Sequence, residues 1–305
     1  MNLEKNKKIK RLPLNSDIVF KRVFGKEENK DLLKSLLESI LCVKIKNLVV
    51  RNPEISRDLQ DSKAGTLDVK VTINDNTVCD VEMQVGNEAN INNRSVYYMV
   101  KMAANELKIS EEYNTQKKTI VINFLNFDFF KRNSYHNIAH MKFEKSSKEA
   151  YIDLGYKKED ELVTDVLEMH FIELKKFKKK NPDTSKTSNQ WLWLIIGEEE
   201  KIRMTEKENK QIKKAIEILD EMSMDPKEWE LYDSRERAIV NYNSGILNAE
   251  ERGMKKGKKE GIKEGKRREK EETAKKLLEL DVEIETIKKA TGLSEEEIKK
   301  LEEML

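Results

Sequence analysis

Apolar residues in the first half of the chain recur with two different periods, one helical and one typical of strands. At 15–25 (NSDIVFKRVFG), 31–41 (DLLKSLLESIL) and 93–109 (NRSVYYMVKMAANELKI) they recur every three or four residues, which predicts helices. The helix at 31–41 gathers on one face Leu32, Leu33, Leu36, Leu37 and Ile40. The predicted strands are the apolar runs at 44–50, 67–73, 79–85 and 119–126. This order of elements indicates an α/β protein with a mixed sheet.

The pattern becomes mostly helical from about residue 160 onwards. VLEMHFIELKKF at 166–177 predicts one helix. Residues 204–224 and 227–250 predict two more, separated by the breaker Asp225-Pro226. We expect these helices to flank the sheet and complete its core.

Four glycines, Gly253, Gly257, Gly261 and Gly265, recur at every fourth position in a run of alternating charges. In a helix this spacing keeps them on a slowly drifting stripe, although each glycine costs about 1 kcal/mol relative to alanine. The pattern is compatible with a solvated linker or lone charged helix, and also with a stripe for self-association.

The tail after this run predicts a small helical module, with Gly292 as a helix stop and SEEE at 294–297 as a capping box. A homo-oligomer formed through these C-terminal helices is a further expectation. The predicted segments are an α/β core at 1–150, a helical extension completing it at 151–250, a charged linker or helix at 251–270, and the helical module at 271–305.

Composition narrows the class of protein. Lys and Arg number 59 against 57 Asp and Glu, a formal net charge of +2, so any surface for nucleic acid must be local. The two cysteines form no CxxC pair, which argues against a disulfide scaffold and favours a reducing compartment, the cytoplasm. WLWLII at 191–196 is far too short to span a bilayer, so we expect no membrane association.

Acidic and amide residues alternate with apolar ones in two predicted strands. In LDVKVTI and DVEMQV, the side chains of Asp68, Glu82 and Gln84 fall on the faces opposite the apolar residues. A hairpin with a three-residue loop at 74–76 keeps the apolar faces together and puts Asp68 directly opposite Glu82. A two-residue loop would mix the faces.

Two carboxylates that face each other repel, so the pair is costly unless a proton or a cation lies between them. A divalent ion with oxygen ligands, Mg²⁺ or Mn²⁺, suits such a pair and can generate hydroxide from bound water. Gln84, on the same side, could hold the attacking water. The alternative is an ordinary solvent-exposed strand face, which spacing alone does not exclude.

Six stretches of the chain together resemble one known family. They are NSDIVFKRVFG at 15–25, TLDVKV at 66–71, CDVEMQV at 79–85, NRSVYYMVKM at 93–102, MHFIELKKF at 169–177 and the glycine-spaced tail. They are similar to the Rpn family of recombination-promoting nucleases and transposases, in the PD-(D/E)XK nuclease superfamily. The resemblance implies a restriction-endonuclease-like core, with Asp68, Glu82 and the Met83 backbone carbonyl as metal ligands. It places Gln84 at the position usually held by lysine.

Several residues are candidates for accessory roles. Lys70 or Lys101 could supply the charge of the missing lysine, although Lys70 opposite Asp80 is better explained as an ordinary ion pair. In folds that resemble this one, an acidic residue of the first helices approaches the metal. The candidates here are Asp17, which could equally be a helix cap, and Glu38.

The predicted helix at 93–109 follows the hairpin and offers a contact surface. Arg94 and Lys101 could meet phosphates, and Tyr97 and Tyr98 could line sugars. Packing of the tyrosines against the sheet is the alternative.

His136 and His140 have the four-residue spacing of paired zinc ligands on a helix. No Glu lies next to His136 and no third ligand is evident. We therefore assign no zinc and interpret both as incidental surface histidines.

The sequence thus predicts a Mg²⁺-dependent endonuclease that hydrolyses phosphodiester bonds in DNA. Basic clusters at Lys5–Arg11 and Lys131-Arg132 are expected to contact phosphates without base readout. The alternative is a catalytically inactive DNA-associated or assembly protein of the same fold, because the lysine is absent and the net charge is almost neutral.

Overall fold

The computed structural model describes residues 10–51, 69–86, 90–107, 110–142 and 162–305. Asp68 therefore lies outside the described residues, as do residues 5–9 of the N-terminal basic cluster. Contacts divide the chain into two compact units, Met1–Arg235 and Glu236–Leu305, and each is described by itself.

Within the described residues, a six-stranded mixed sheet forms the centre of the first unit, in the order β1-β2-β3-β4-β6-β5. Its strands are β1 (Leu48–Arg51), β2 (Val69–Ile73), β3 (Thr77–Gln84), β4 (Lys118–Leu125), β5 (His136–Lys142) and β6 (Leu162–Glu173). β3, β4 and β6 are parallel, whereas the other pairs are antiparallel. The carboxyl-terminal ends of the three parallel strands therefore lie at the same edge of the sheet.

Ten α-helices accompany the sheet in the described part of the chain. They are α1 (Asp17–Phe24), α2 (Lys30–Leu41), α3 (Ile91–Glu106), α4 (Leu174–Lys180), α5 (Thr187–Ile196), α6 (Glu199–Thr205), α7 (Lys210–Met224), α8 (Pro226–Glu279), α9 (Ile284–Thr291) and α10 (Glu295–Glu302). The predicted helices at the start of the chain and the predicted break before Pro226 are confirmed.

The main core lies on one face of the sheet, under α1, α2, α5 and α7. The residues of α2 that were predicted to share a face are all buried, and they are Leu32, Leu33, Leu36, Leu37 and Ile40. They pack in one cluster with Val81 and Met83 of β3. The Trp191 ring of α5 belongs to the same cluster, and its centre lies 5.7 Å from that of the Phe24 ring.

The opposite face of the sheet is covered by α3. Met99 and Met102 of this helix pack against Val78 of β3 and Val121 of β4. Because helices cover both faces at β3, seven of the eight β3 residues are buried, and the eighth, Thr77, is partly exposed.

The predicted helix at 166–177 is wrong over most of its length. Residues up to Glu173 belong to β6, and the helix α4 begins only at Leu174. Apolar and polar residues occur on both faces of β6, in the sequence LVTDVLEMHFIE, so the period of two is lost. The segment 151–250, which was predicted to be a helical extension, therefore contains the strand β6.

In the second unit, the glycine-spaced segment is helical and lies within α8. A Cβ added at Gly253, Gly257, Gly261 or Gly265 would meet nothing within 4 Å. Self-association through this stripe stays a prediction. None of the described helices, α8 included, is apolar over a length that could cross a bilayer.

The end of α8 packs with α9 and α10 into a small core of Ala274, Ile287, Leu293 and Ile298. Gly292 ends α9 with a φ of 68°, a left-handed conformation that glycine adopts without strain. Ser294 and Glu297 form both hydrogen bonds of the predicted capping box.

Candidate active site

The hairpin of β2 and β3 has the register predicted from its sequence. Ile73 pairs with Thr77 and Val69 pairs with Val81, across a three-residue turn. The turn residues Asn74 and Asp75 have φ values of 49° and 63°, which Asn and Asp tolerate better than most residues. The predicted pairing of Asp68 with Glu82 would be the next one of this face, but Asp68 lies outside the described residues.

The polar face of β3 is buried beneath α3. Asp80 is 0%, Glu82 1% and Gln84 7% exposed. Carboxylates are costly to bury unless they are paired, hydrogen-bonded or metal-bound, so this is not an ordinary solvated strand. The alternative of a solvent-exposed strand face is therefore wrong for these three residues.

Gln84 contacts Glu82 directly, because side chains two residues apart on a strand point to the same side. The Gln84 Nε2 atom donates a hydrogen bond to Glu82 Oε2. An amide in this position fixes the orientation of the carboxylate but adds no positive charge. The lysine expected in the superfamily pattern would add that charge.

Two polar residues beside Glu82 were missed by the sequence analysis. The strand register puts Asn123 of β4 next to Glu82. Ser95 Oγ of α3 donates to Asn123 Oδ1 over 2.9 Å, and Asn123 Nδ2 donates to the backbone carbonyl of His170 over 3.3 Å. Ser95 and Asn123 are both fully buried. The available signal was a single polar residue inside the apolar strand TIVINFLN.

Helix α3 places its two tyrosines differently. Tyr98 is 5% exposed and packs against the sheet, and the Arg94 guanidinium lies 5.5 Å from its ring centre. Tyr97 is 57% exposed, with the Lys101 ammonium 5.8 Å from its ring centre. Packing thus explains Tyr98, whereas Tyr97 and Lys101 are accessible for contact with a ligand.

Lys70 belongs to a charge cluster at the end of α3. The register places it opposite Asp80, as predicted. Its ammonium lies 3.7 Å from Glu106, which also pairs with Arg51 at 2.6 Å and Lys117 at 3.3 Å. Burial raises the pKa of Glu106, but the hydrogen bond and charge of Arg51, with the two lysines, bring it below its ordinary value.

Asp17 and Glu38 each make a contact that gives the residue a structural role. Asp17 binds the Arg235 guanidinium, with Nε at 2.8 Å, and Glu38 accepts a hydrogen bond from the Ile45 amide at 2.8 Å. Their helices pack on the face of β3 that carries Val81, the face opposite Glu82. The described contacts do not bring either acid to Glu82.

The histidines form a network on β5 and β6. His136 Nε2 lies 2.8 Å from His170 Nδ1, and His170 Nε2 lies 2.6 Å from Glu168 Oε1. Glu168 also binds Lys118 at 2.7 Å, and His140 lies 3.9 Å from it. His136, interpreted from the sequence as an incidental surface histidine, is partly exposed, but it lies on β5 and its ring contacts the buried His170.

This network shifts the acidity of two of its members. Burial, together with the neighbouring His170, lowers the pKa of His136 to about 4. The hydrogen bond from His170, together with that from Lys118, lowers the pKa of Glu168 to about 2. His136 is therefore held neutral and Glu168 is held ionised.

The donor chemistry near Glu82 fits a hard divalent cation. Its buried carboxylate and the Met83 backbone carbonyl would supply oxygen ligands, and Asp68 is the predicted second carboxylate. Among the described residues, no group of three or more His, Cys, Asp or Glu side chains is arranged to hold a metal. A complete ligand set at Glu82 therefore depends on Asp68 or on water.

The mixed sheet flanked by helices is consistent with the α/β fold of the PD-(D/E)XK nucleases, as the resemblance implied. The sequence model of the PD-(D/E)XK nuclease family transposases matches residues 14–249. The chain belongs to this family. No curated protein and no solved structure matches the chain. PD-(D/E)XK nucleases generally use divalent metal ions.

Proposed function

We propose that the protein is a metal-dependent DNA endonuclease that hydrolyses phosphodiester bonds, with a role related to transposition or recombination. The observation that supports it most is the hydrogen-bonded pair of Glu82 and Gln84, buried at the carboxyl-terminal end of β3. Because the chain belongs to a nuclease family, we interpret this pair as part of a metal-binding site.

Hydrolysis of a phosphodiester needs an in-line water, removal of its proton, and positive charge at the non-bridging oxygen. Mg²⁺, or Mn²⁺ in its place, supplies that positive charge when bound and acidifies the water. Glu82, with Asp68 and the Met83 carbonyl, would hold the ion, and Gln84, which donates a hydrogen bond to the Glu82 carboxylate, would orient the water. Lys101 and Arg94 on α3 are the nearby cations proposed to meet phosphate.

A second candidate function is an inactive DNA-associated or assembly protein of the same fold. Gln84 in place of lysine favours it, because an amide cannot stabilise a developing negative charge as an ammonium does. The exposed glycine stripe of α8 also favours it, since it offers a surface for a homo-oligomer through the C-terminal helices.

A cleavage assay with four variants distinguishes these functions. We expect Asp68→Ala and Glu82→Ala to lower plasmid nicking about 100-fold or more, because each removes a carboxylate ligand. Gln84→Ala should lower it only about tenfold, since Gln84 orients but carries no charge. Gln84→Lys should match or exceed the parent. The measurement is the nicking rate against Mg²⁺ concentration.

The matched control is Glu221→Ala, which removes an exposed carboxylate of α7 and should leave the rate unchanged. Circular dichroism establishes that each variant is folded. Full activity in a folded Asp68→Ala or Glu82→Ala protein would show that the site has been assigned wrongly. A parent protein that cleaves at no metal concentration would favour the assembly function.

A further inference from the structure

A concentrated basic surface lies at the edge of the sheet where β3, β4 and β6 end. It comprises the loop after β4 and the helix α4, whose sequence is LKKFKKK. We call it the basic patch, and its residues are Lys131, Arg132, Lys175, Lys176, Lys178, Lys179 and Lys180. Formal net charge over the whole chain is only +2, so this density of cations is a local feature.

The sheet places the basic patch close to Gln84. Gln84 pairs with Leu125, which in turn pairs with Glu173, the residue before α4. Neighbouring strands lie about 4.8 Å apart, so α4 begins about 10 Å from Gln84. The loop begins closer still, because the Asn126 amide donates to the Gln84 carbonyl over 3.0 Å.

A buried ion pair holds the loop against α4. Glu173, which is 0% exposed, accepts hydrogen bonds from the amides of Phe129 at 2.7 Å and Phe130 at 3.1 Å. Lys176 binds Glu173 and also donates to the carbonyls of Phe130 and Arg132, the latter over 2.8 Å. The backbone that carries Lys131 and Arg132 is therefore fixed, while their side chains are exposed.

Most of the positive charge of the patch faces solvent. Lys176 is engaged by Glu173, and Lys178 pairs with Glu198 at 2.8 Å. Lys175 and Lys179 of α4 are exposed, as are the two cations of the loop. The N-terminal basic cluster contributes less in its described part, because Arg11 pairs with Asp220 at 2.6 Å.

We propose that the basic patch binds the phosphate backbone of the DNA whose scissile bond enters the site at Glu82. The proposal rests on the proposed nuclease function. Fixed cations that touch only phosphates bind without regard to base sequence, and removing any one of these cations reduces the salt dependence of binding. The Glu173–Lys176 pair positions the loop for this interaction.

The test measures binding of the full-length protein to a short fluorescein-labelled DNA duplex by anisotropy, in EDTA so that no cleavage occurs. The variant Lys175→Gln/Lys179→Gln should bind about tenfold more weakly at moderate salt. Its slope of log affinity against log salt should be shallower by about 2, about one for each lysine that no longer neutralises a phosphate. Lys131→Gln/Arg132→Gln is a second variant with the same expected direction.

The matched control is Lys44→Gln/Lys46→Gln. Both lysines are exposed and lie beside Asn74, at the opposite end of β3 from Gln84. The control should keep the affinity and salt slope of the parent. Equal decreases in affinity in patch and control variants, unchanged binding in both patch variants, or no binding by the parent would overturn the proposal.

Cleavage measured with the same duplex in Mg²⁺ separates this proposal from the nuclease proposal. Binding that depends on the patch, without cleavage, supports the patch and counts against the catalytic function. If both patch variants cleave DNA with the same dependence on DNA concentration as the parent, the catalytic function is supported. The proposed role of the basic patch is then overturned.

Discussion

The side chain of Glu173 contacts the loop after β4, the helix α4 and the strand β5, at the edge of the sheet where the candidate site lies. Its carboxylate is fully buried and contacts two backbone amides, the Lys176 ammonium and the Asn137 side chain. A buried carboxylate with this many donors is stable only while all of them are present. Removing it leaves a half-buried ammonium and two amides without their acceptor.

Glu173→Ala should therefore destabilise the first unit by about 3 kcal/mol. Glu173→Gln should cost less, because an amide oxygen still accepts from the backbone although the charge is lost. The measurement is the free energy of unfolding from urea titrations. Glu217→Ala, which removes an exposed partner of Lys213, should change it by less than about 0.5 kcal/mol. A Glu173→Ala protein as stable as that control would contradict this account.

Residue-level prediction from the sequence succeeded where strand alternation determines the geometry. The shared face of Glu82 and Gln84 follows from the period of two, and the three-residue turn follows from keeping the apolar faces together. Ser95 and Asn123 were missed because their contact joins α3 to β4 across the fold. No spacing along the chain encodes such a contact.

At the scale of elements, the pairing of β5 with β6 depends on the histidine network. Lys118 of β4, Glu168 and His170 of β6, and His136 and His140 of β5 face one another on one side of the sheet. Since β5 is an edge strand, this network adds side-chain contacts to the backbone ladder that joins β5 to β6. The protonation state of this network therefore affects the free energy of unfolding.

Stability should fall as the pH falls from 6.5 towards 4. The unfolded chain takes up a proton at His136 near pH 6.5, whereas the folded protein resists it until about pH 4. The slope is up to about 1.4 kcal/mol per pH unit for one proton. Glu168 adds to the loss below about pH 4.5, since its folded pKa is about 2.

Urea titrations at pH 6.5, 5.5 and 4.5 measure this slope. His136→Gln should flatten it, because the titrating imidazole is gone. An unchanged slope in the His136→Gln variant would assign the pH dependence to other groups.

Elements were predictable from the sequence where apolar residues form a helical stripe, as in α2, or a short apolar run, as in β4. α2 buries one stripe and was predicted in full, as were α3 and β4 as elements. β6 carries apolar and polar residues on both of its faces and so shows no period of two, and it was mistaken for a helix. β5 is rich in polar residues and lies at the sheet edge, and no pattern marked it as a strand.

At the scale of the whole molecule, α8 continues from the first unit into the second. Its ion pairs, such as Lys255 with Glu251 and Arg268 with Glu264, are exposed and contribute little. Four glycines cost about 1 kcal/mol each relative to alanine. The middle of α8 should therefore open more readily than its ends.

Hydrogen exchange should be faster at 251–270 than at 274–279, where α8 packs in the small C-terminal core. Replacing Gly253, Gly257, Gly261 and Gly265 together by alanine should slow exchange in that segment, by up to about 4 kcal/mol in opening free energy. The measurement is mass-spectrometric exchange at two protein concentrations. Protection that rises with concentration in the parent would instead indicate self-association along the glycine stripe.

The pairing order of the sheet also determines when the candidate site forms during synthesis. The β2–β3 hairpin is local, so Glu82 and Gln84 reach their shared face early. The parallel pairs join residues that are distant in sequence, Thr77 with Lys118 and Thr119 with Leu167. These strand pairs therefore form late in folding. A growing chain therefore carries its acidic residues before it has the lysines of α4. On the proposal that the basic patch binds DNA, the nascent protein lacks this phosphate contact until the sheet is almost complete.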